Sequence, residues 1–374
     1  MADIFVYIGT YTKENGSSLK RNACAEGISV YKIADDNVNA WELVQKMPIL
    51  NPCVFDFGQE RSYLYSLSAD SNVVTGFSVD PVSGKLDKLC TRVIENTKNI
   101  AVLTVSHKGD RLIAADFYGN VFVMNLDPDG SIGDVCCEEA LPGKIGPLRE
   151  TWQPCSRPHH IVLSEDDRYV YIPDKGLDKI HTYELTPAPD SQLRLCSQID
   201  VRRAGCPRHL AVSPDGKFLY CNLEFGNAVV ACELVDCIPE AFQMVQTLPE
   251  TYVEPISKTA EIQIHPSGKW LYVSNRGHNS IAVFSIDKDG FIKVIQWMDC
   301  GGGIPRSFEI DPSGRKLFCC NQFSNEITSF DINIRTGILS PSRETIKTPC
   351  PVWLRFSGDY PVKKKGTQTV EGIT

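Results

Sequence analysis

The sequence has no long hydrophobic run and no leader-like beginning. No apolar stretch approaches the roughly 18 residues that a membrane-spanning helix needs. The opening MADIFVYIGTYT lacks the basic segment, the apolar core and the small-residue cleavage site of a signal peptide. We therefore expect a cytoplasmic protein that does not insert into a membrane.

Positive charge is also scarce. The chain has 38 Lys and Arg against 46 Asp and Glu, which gives a formal net charge of -8. Because nucleic-acid binding depends on a basic face that releases counterions from phosphates, this balance argues against a nucleic-acid partner. The basic run Lys363 to Lys365 lies near the end of the chain, where we expect a loose tail from about residue 362.

Metal-binding signatures are missing as well. The fifteen cysteines include no CxxC pair, and the vicinal pairs at 136-137 and 319-320 have no histidine at zinc-ligand spacing. In a long chain without a secretory signal, cysteines are expected to be reduced thiols, most of them in the core. The sequence therefore predicts neither a metal site nor a disulfide framework.

An internal repeat of β-strands dominates the chain. Clear copies begin at Ser213, His265 and Asp311, and weaker ones at Gly58, Ser106 and Ser164. A period of about 50 residues, with strands and no helical pattern, is typical of β-propeller blades. One residue in the second strand marks each copy, at separations of 48, 58, 49, 52 and 46 positions: Tyr65, Ile113, Tyr171, Tyr220, Tyr272 and Phe318.

A seventh copy is divided between the two ends of the chain. IFVYIGTY near the start resembles the second strand of a blade, and PVWLRFSGDY near residue 355 resembles the first. Pairing of these segments closes the ring and removes the exposed edges of an open array. The sequence thus predicts an all-β, seven-bladed β-propeller formed by one domain over residues 1–374.

This fold predicts where polar residues converge. The innermost strand of a blade lines the channel and the next strand runs antiparallel to it, so the start of the first and the end of the second lie at the same channel mouth. Arginines there suit a carboxylate or phosphate, and a histidine with a carboxylate can move a proton, so we expect an anionic small-molecule ligand. The positions are occupied by Arg157, His159, His160, Asp174, Lys175, Arg208, His209, Glu224, Glu261, Asn275, Arg276, His278, Arg306, Asn321 and Gln322.

Several of these segments resemble the lactonase family of seven-bladed propellers. This family includes propeller-type 6-phosphogluconolactonases and 3-carboxy-cis,cis-muconate lactonising enzyme. The resemblance covers essentially the whole chain. It rests on YIGTYT, RPHHIVLS with PDKGLDKI, GCPRHLAVSPDGKFLYCNLE, AEIQIHPSGKWLYVSNRGHNSIAVF and IPRSFEIDPSGRKLFCCNQFSN.

The resemblance implies a catalytic set of one histidine, two arginines and one glutamate, namely His159, Arg208, Glu224 and Arg276. Arg157 stands where the family has the first histidine of its PHxH pattern, so His160 is an alternative to His159 as the working ring. The insert between Cys136 and Ser156 and the loop from Thr12 to Glu26 are expected to shape the pocket mouth. We assign substrate binding to the neighbouring residues His160, His209, Glu261, Asn275, His278, Arg306 and Gln322.

Three functions remain open from the sequence. The first is hydrolysis of a sugar lactone, best 6-phosphogluconolactone, with Glu224 or His159 as general base and without a metal or organic cofactor. Arg208 and Arg276 would bind the phosphate or the developing oxyanion. The second is a muconate-type lactonising cycloisomerase that uses the same residues, and the third is a non-catalytic propeller that binds a protein partner.

Overall fold

The computed structural model describes residues 4–14, 23–34, 37–150, 152–253 and 256–358. Over these residues the chain forms seven four-stranded antiparallel sheets and one short 3-10 helix, Gln59–Arg61. The predicted all-β, seven-bladed propeller is confirmed. The predicted tail from about residue 362, the basic run within it, and residues 15–22 of the Thr12 to Glu26 loop lie outside the described residues.

Blades one to six each use four consecutive strands, from β4–β7 to β24–β27, and blade seven combines β28 with β1–β3. In chain order the strands are β1 (Ile4–Thr10), β2 (Gly27–Ala34), β3 (Asn37–Pro48), β4 (Phe55–Phe57), β5 (Tyr63–Leu67), β6 (Val73–Val79), β7 (Leu86–Val93), β8 (Ile100–Val105), β9 (Arg111–Asp116), β10 (Asn120–Leu126), β11 (Ile132–Ala140), β12 (Val162–Leu163), β13 (Tyr169–Asp174), β14 (Lys179–Leu185), β15 (Leu193–Asp200), β16 (Pro207–Val212), β17 (Phe218–Leu223), β18 (Ala228–Val235), β19 (Ile238–Gln246), β20 (Lys258–Ile264), β21 (Trp270–Arg276), β22 (Ser280–Ile286), β23 (Ile292–Asp299), β24 (Pro305–Ile310), β25 (Lys316–Asn321), β26 (Glu326–Ile332), β27 (Leu339–Lys347) and β28 (Pro351–Phe356).

The two ends of the chain close the ring. Strand β28 is the innermost strand of blade seven and pairs antiparallel with β1, from Val6 opposite Phe356 to Thr10 opposite Pro351. This is the predicted division of the seventh copy. The pairing joins the two ends of the chain in one sheet and so completes the seventh blade.

Apolar side chains fill the seven interfaces between adjacent blades. Between blades five and six, for example, Tyr272 packs in one cluster with Phe308 and Phe330. A central strand such as β9 is buried along its whole length because its sheet packs against a neighbour on each side, whereas the outermost β7 is mostly exposed. The hydrophobic core is therefore a ring of inter-blade layers.

A polar contact recurs between these layers. The tyrosine that marks the repeat donates its hydroxyl hydrogen to a backbone carbonyl in the outer hairpin of the next blade. Blades two and six carry Ile113 and Phe318 at this position and lack the hydroxyl. The five donor and acceptor pairs are Tyr7 and Gly84, Tyr65 and Gly130, Tyr171 and Cys237, Tyr220 and Gly290, and Tyr272 and Gly337.

This contact predicts the effect of removing one hydroxyl. Tyr220→Phe leaves the buried Gly290 carbonyl without its donor, so the free energy of unfolding is expected to fall by about 1–3 kcal/mol. Urea denaturation measures the change. The matched control is Tyr118→Phe, because Tyr118 is 56% exposed and its hydroxyl donates to no carbonyl of the residues that the structure describes. Equal stability of the two variants would contradict the role given to the hydroxyl.

Candidate active site at the channel mouth

The second strands deliver one side chain each to the channel mouth. In every blade this residue lies four positions after the repeat-marking residue, at the end of the second strand or just beyond it. Six of the seven line a single cavity of about 410 Å³, and the seventh, Lys175, forms an ion pair with one of them. The set is Tyr11, Ala69, Phe117, Lys175, Glu224, Arg276 and Gln322.

The first strands reach the same mouth through β-bulges. In blade four the pairing of β16 with β17 passes over Arg208 and His209, which together stand opposite Asn222. In blade five Ala260 and Glu261 are passed over in the same way. A bulge breaks the alternation of faces along a strand, so the consecutive side chains of Arg208 and His209 both line the cavity.

Glu224 is the centre of the site and is surrounded by cations. Its Oε1 lies 2.9 Å from Nη2 of Arg276, and its Oε2 forms an ion pair with Lys175 and lies 3.6 Å from Nε of Arg208. All four side chains are largely or fully buried. A buried carboxylate in this setting is stabilised as an ion by its partners.

The pKa values of this cluster follow from burial and from charge. Burial by itself raises the pKa of Glu224, but Lys175, Arg276 and Arg208 together hold it well below its usual range. Burial lowers the pKa of Lys175, although Glu224 opposes the shift. Burial and Arg276 lower the pKa of Arg208 to about 9. Glu224 is therefore ionised, and its ion pairs favour the charged forms of Lys175, Arg208 and Arg276.

His209 is held in one tautomer beneath the cluster. Its Nε2 lies 2.9 Å from Nη1 of Arg208, and its Nδ1 lies 2.9 Å from Oε1 of Glu261. Because a guanidinium only donates hydrogen bonds, Nε2 is the acceptor and Nδ1–H donates to Glu261. Burial, Arg208 and Arg306 lower the pKa of His209 well below its usual value, which keeps the ring neutral.

His159 lies in the cavity wall next to His209, with 5.4 Å between the ring centroids. Its Nδ1 is buried and has no hydrogen-bond partner among the described residues. Burial lowers the pKa of His159 well below its usual value, and Arg208 and Lys175 lower it further. His159 is thus a neutral imidazole held beside a strongly cationic cluster.

His160 has different surroundings. Its ring stacks on His209 at 4.5 Å, and its Nδ1 accepts a hydrogen bond from the backbone N–H of Leu210 at 3.1 Å. It lines both the main cavity and a second cavity further along the channel, near Asp56 and His107. Nδ1 of His160 is therefore occupied by a structural hydrogen bond.

Eight of the eleven predicted site residues line the cavity: His159, His160, Arg208, His209, Glu224, Arg276, Arg306 and Gln322. Glu261, Asn275 and His278 do not. Glu261 lies behind the wall and bonds to His209, as described above. Asn275 precedes Arg276 in β21 and faces the opposite side, where it donates to the Thr247 carbonyl, and His278 turns away to Ser280 at 2.6 Å.

Several wall residues had no role in the sequence-based prediction. The aromatic ones are Tyr11, Phe117, Trp152, Phe323 and Trp353, and Lys258 adds a cation. Tyr11 and Phe117 occupy the four-residue offset from the repeat, so an alignment of the copies finds them. Trp152 belongs to the insert between Cys136 and Ser156, which is outside the repeat and gives no such signal.

The cavity wall has a surplus of positive charge. The described lining residues include four cations, Arg208, Lys258, Arg276 and Arg306, and one carboxylate, Glu224. Nη2 of Arg306 donates to the Tyr11 hydroxyl at 2.9 Å. In a protein of net charge -8, this local excess favours an anionic ligand.

All fifteen cysteines are free. In the described part of the chain, no group of three or more His, Cys, Asp and Glu side chains is arranged to hold a metal ion. Across the same ranges, no helix has the length and apolar character needed to cross a membrane.

Known proteins that are similar to this chain match it over nearly its whole length. A 6-phosphogluconolactonase of Bacillus subtilis is 29% identical over 356 residues, which cover 94% of this chain and 97% of the relative. A solved structure from Lactobacillus plantarum is 25% identical with a TM-score of 0.84, covering 95% of this chain and 99% of that one. A periplasmic gluconolactonase of Pseudomonas aeruginosa, at 24% identity, a TM-score of 0.85 and the same coverage, shares the fold.

The family model described as "Lactonase, 7-bladed beta-propeller" matches residues 5–356. That match spans nearly all of the chain and confirms the resemblance seen in the sequence. This chain therefore belongs to the lactonase family of seven-bladed β-propellers.

Proposed function

We propose that this chain hydrolyses an anionic sugar lactone, with 6-phosphogluconolactone as substrate, and that it uses neither a metal ion nor an organic cofactor. The observation that carries the proposal is the convergence of Glu224, its three cations and the neutral His159 on one cavity. The end-to-end similarity to a 6-phosphogluconolactonase supports the same substrate. Fifteen free cysteines favour a reducing compartment, so we place the reaction in the cytoplasm.

Glu224 is a poor candidate for the general base. Its pKa is held well below the usual range, and both of its oxygens face cations. Its proposed role is to fix Arg208 and Arg276 in place. The two guanidinium groups then stabilise the negative charge that develops on the carbonyl oxygen when water attacks, as preorganised donors do in acyl transfer.

His159 is the proposed base. Its neutral ring takes a proton from the attacking water, whose oxygen bonds to the lactone carbonyl carbon. The bond from that carbon to the ring oxygen then breaks, and the protonated imidazole returns the proton to the departing oxygen. Water is consumed, and the product is the open-chain hydroxy acid.

An anionic substrate also strengthens this base. Arg208, Lys175 and Arg306 are among the charges that lower the pKa of His159. A bound anion offsets these positive charges, so the pKa of His159 rises when the substrate binds. The ring therefore becomes a better proton acceptor in the complex than in the free enzyme.

The direct test is hydrolysis by the purified protein. We expect 6-phosphogluconolactone to be opened faster than its spontaneous hydrolysis, at an equal rate after exhaustive chelation, and 3-carboxy-cis,cis-muconate to be left unchanged. The acid released is followed by titration or by coupled oxidation of the product. Lactonisation of the muconate would support the cycloisomerase instead, and loss of activity on chelation would contradict the metal-free mechanism.

Removing the central charge should affect both stability and turnover. Glu224→Gln leaves three buried cations without their anion, so the free energy of unfolding is expected to fall by about 3–5 kcal/mol. We also expect kcat/KM to fall by about 100-fold or more, because the oxyanion donors lose their support.

Urea denaturation and initial rates measure the two effects of Glu224→Gln. Added inorganic phosphate should stabilise this variant more than the wild type, since the anion replaces the missing carboxylate. Glu165→Gln, at an exposed position, is the control and should change neither quantity. A fully stable Glu224→Gln protein would show that the cluster is not held by this charge.

The pH dependence should identify His159. Activity requires the neutral ring, which exists above its pKa, and that pKa is lowered in the free enzyme. The profile of kcat/KM reports the free enzyme, so its acid limb is expected below pH 6.5, the usual pKa of histidine. The profile of kcat reports the enzyme–substrate complex, in which the bound anion raises the pKa of His159. Its acid limb is therefore expected at a higher pH than the limb of kcat/KM. Both limbs should disappear with the activity in His159→Asn.

The profiles need a substrate that does not titrate in the same range. Because a phosphate monoester has its second pKa near about 6, they are recorded with unphosphorylated gluconolactone as well. Spontaneous hydrolysis is subtracted at each pH. Unphosphorylated gluconolactone brings no anion to the site, so its two limbs should coincide, and the separation of the limbs should appear with the phosphorylated lactone alone. A limb that survives in His159→Asn would assign the proton transfer to another group.

A further inference from the structure

Lys258 differs from the other cations of the site in its partners. Arg208 and Arg276 pair with Glu224, and Arg306 bonds to Tyr11. Within the described ranges, the Lys258 ammonium forms no hydrogen bond and no ion pair, and Glu224 acts on it only through longer-range electrostatics. It lies instead over two aromatic rings, 3.9 Å from the centroid of Trp152 and 4.6 Å from that of Phe225.

This arrangement leaves the ammonium available to a ligand. The two rings are in contact with each other, with 4.9 Å between their centroids, and the ammonium lies over both. Among the residues that the structure describes, none of its N–H groups donates to an oxygen or nitrogen atom. Lys258 is half-buried in the cavity wall. A partly desolvated ammonium without an acceptor is a favourable contact for an anion.

The insert holds Trp152 in this position. Gln153 is fully buried, accepts from the Leu148 N–H through Oε1 at 3.0 Å and donates to the Lys175 carbonyl through Nε2 at 2.8 Å. The backbone N–H of Trp152 itself donates to the Leu148 carbonyl at 3.0 Å. The tryptophan is thus anchored to the same turn that supplies Lys175 to the active site.

The backbone fixes Lys258 beside the reaction centre. Lys258 stands opposite Arg276 in the β20–β21 pairing, and the N–H of the next residue, Thr259, donates to the Glu224 carbonyl at 3.1 Å. Phe225 directly follows Glu224. The ammonium therefore lies at the edge of the cationic cluster, on the side of the insert.

We propose that Lys258, supported by Trp152 and Phe225, binds the phosphate group of the substrate and sets a preference for phosphorylated over unphosphorylated lactones. This inference rests on the proposed lactone hydrolysis and assigns the reacting carbonyl and the phosphate group to different residues. Arg208 and Arg276, which are fixed by Glu224, act at the reacting carbonyl. Lys258 acts on the remote anionic group, and Trp152 is a positioning residue that acts through Lys258.

The test compares two lactones that differ only in the phosphate. For wild type and Lys258→Met, kcat/KM is measured with 6-phosphogluconolactone and with unphosphorylated gluconolactone. Loss of one charge-assisted contact should lower the ratio of the two kcat/KM values by about 10- to 100-fold, mainly through KM for the phosphorylated substrate. Lys288→Met, at a side chain that is 89% exposed, is the matched control and should leave the ratio unchanged.

The role of Trp152 is tested by the same ratio of kcat/KM values, because damage to the cavity wall alone would lower kcat/KM for both lactones equally. Trp152→Leu should lower the same ratio by about 3- to 10-fold, and Trp152→Phe should restore most of it, because a second aromatic face again supports the ammonium. Thermal unfolding confirms that each variant is folded. An equal fall on both lactones would show that Trp152 only maintains the wall.

A binding measurement separates failure of this inference from failure of the proposed function. Calorimetric titration with 6-phosphogluconate and with gluconate does not depend on turnover. If the wild type opens neither lactone but binds the phosphorylated acid more tightly in a Lys258-dependent way, the hydrolysis proposal fails and the phosphate site stands. If the wild type opens the phosphorylated lactone and Lys258→Met keeps the wild-type ratio and affinities, the phosphate site is overturned.

Discussion

Pairing of β28 with β1 is the constraint on which the site depends. The ring closes only when β28, the last strand of the described residues, becomes the innermost strand of blade seven. Closure places Tyr11, just after β1, and Trp353, within β28, in the same cavity wall as Glu224. Residues that are hundreds of positions apart in the sequence then converge because every blade presents the same two strand ends to one mouth.

The ring closure also buries several charged side chains close together. Burying a lysine and two arginines together is costly, since each loses hydration and each repels the others. Glu224 offsets part of this cost and is itself kept ionised by the same neighbours. One carboxylate cannot balance three cations, so the site retains a positive excess. The acidic remainder of the chain makes this local excess a property of the cavity rather than of the protein.

The sequence predicted the parts of the structure that repeat. A period of about 50 residues gave the number of blades, and the split seventh copy gave the closure. Glu224, Arg276 and Gln322 follow the repeat-marking residue at the same distance, and all three were correctly predicted to lie at the channel mouth. Strand alternation could also have separated Asn275 from Arg276, because neighbours in a regular strand face opposite sides.

What the sequence did not predict lies where the repeat is broken. The bulges in β16 and β20 change which residues of the first strands face the cavity, so Glu261 lies behind the wall, whereas Lys258, at the start of the same strand, lies in it. A bulge depends on local backbone hydrogen bonding, such as the Ser274 hydroxyl that accepts the Glu261 N–H, and has no clear mark in one sequence. The anchoring of Trp152 through Gln153 is equally invisible to any periodic analysis.

This contrast has a functional consequence. The groups proposed for the chemistry lie at strand ends or next to them: Arg208 and Arg276 belong to β16 and β21, Glu224 directly follows β17, and the N–H of His159, just before β12, donates to the Pro173 carbonyl of β13. The groups proposed for substrate preference depend on an insert that lies outside the repeat. The insert reaches the propeller through hydrogen bonds such as that from Gln153 to the Lys175 carbonyl and through the contact of Trp152 with Phe225. Under the proposed roles, substitution of the Trp152 side chain would change the preference between lactones and leave the groups at the reacting carbonyl in place. A change at Gln153 would also reach the turn that carries Lys175, so the insert is only partly independent of the chemistry.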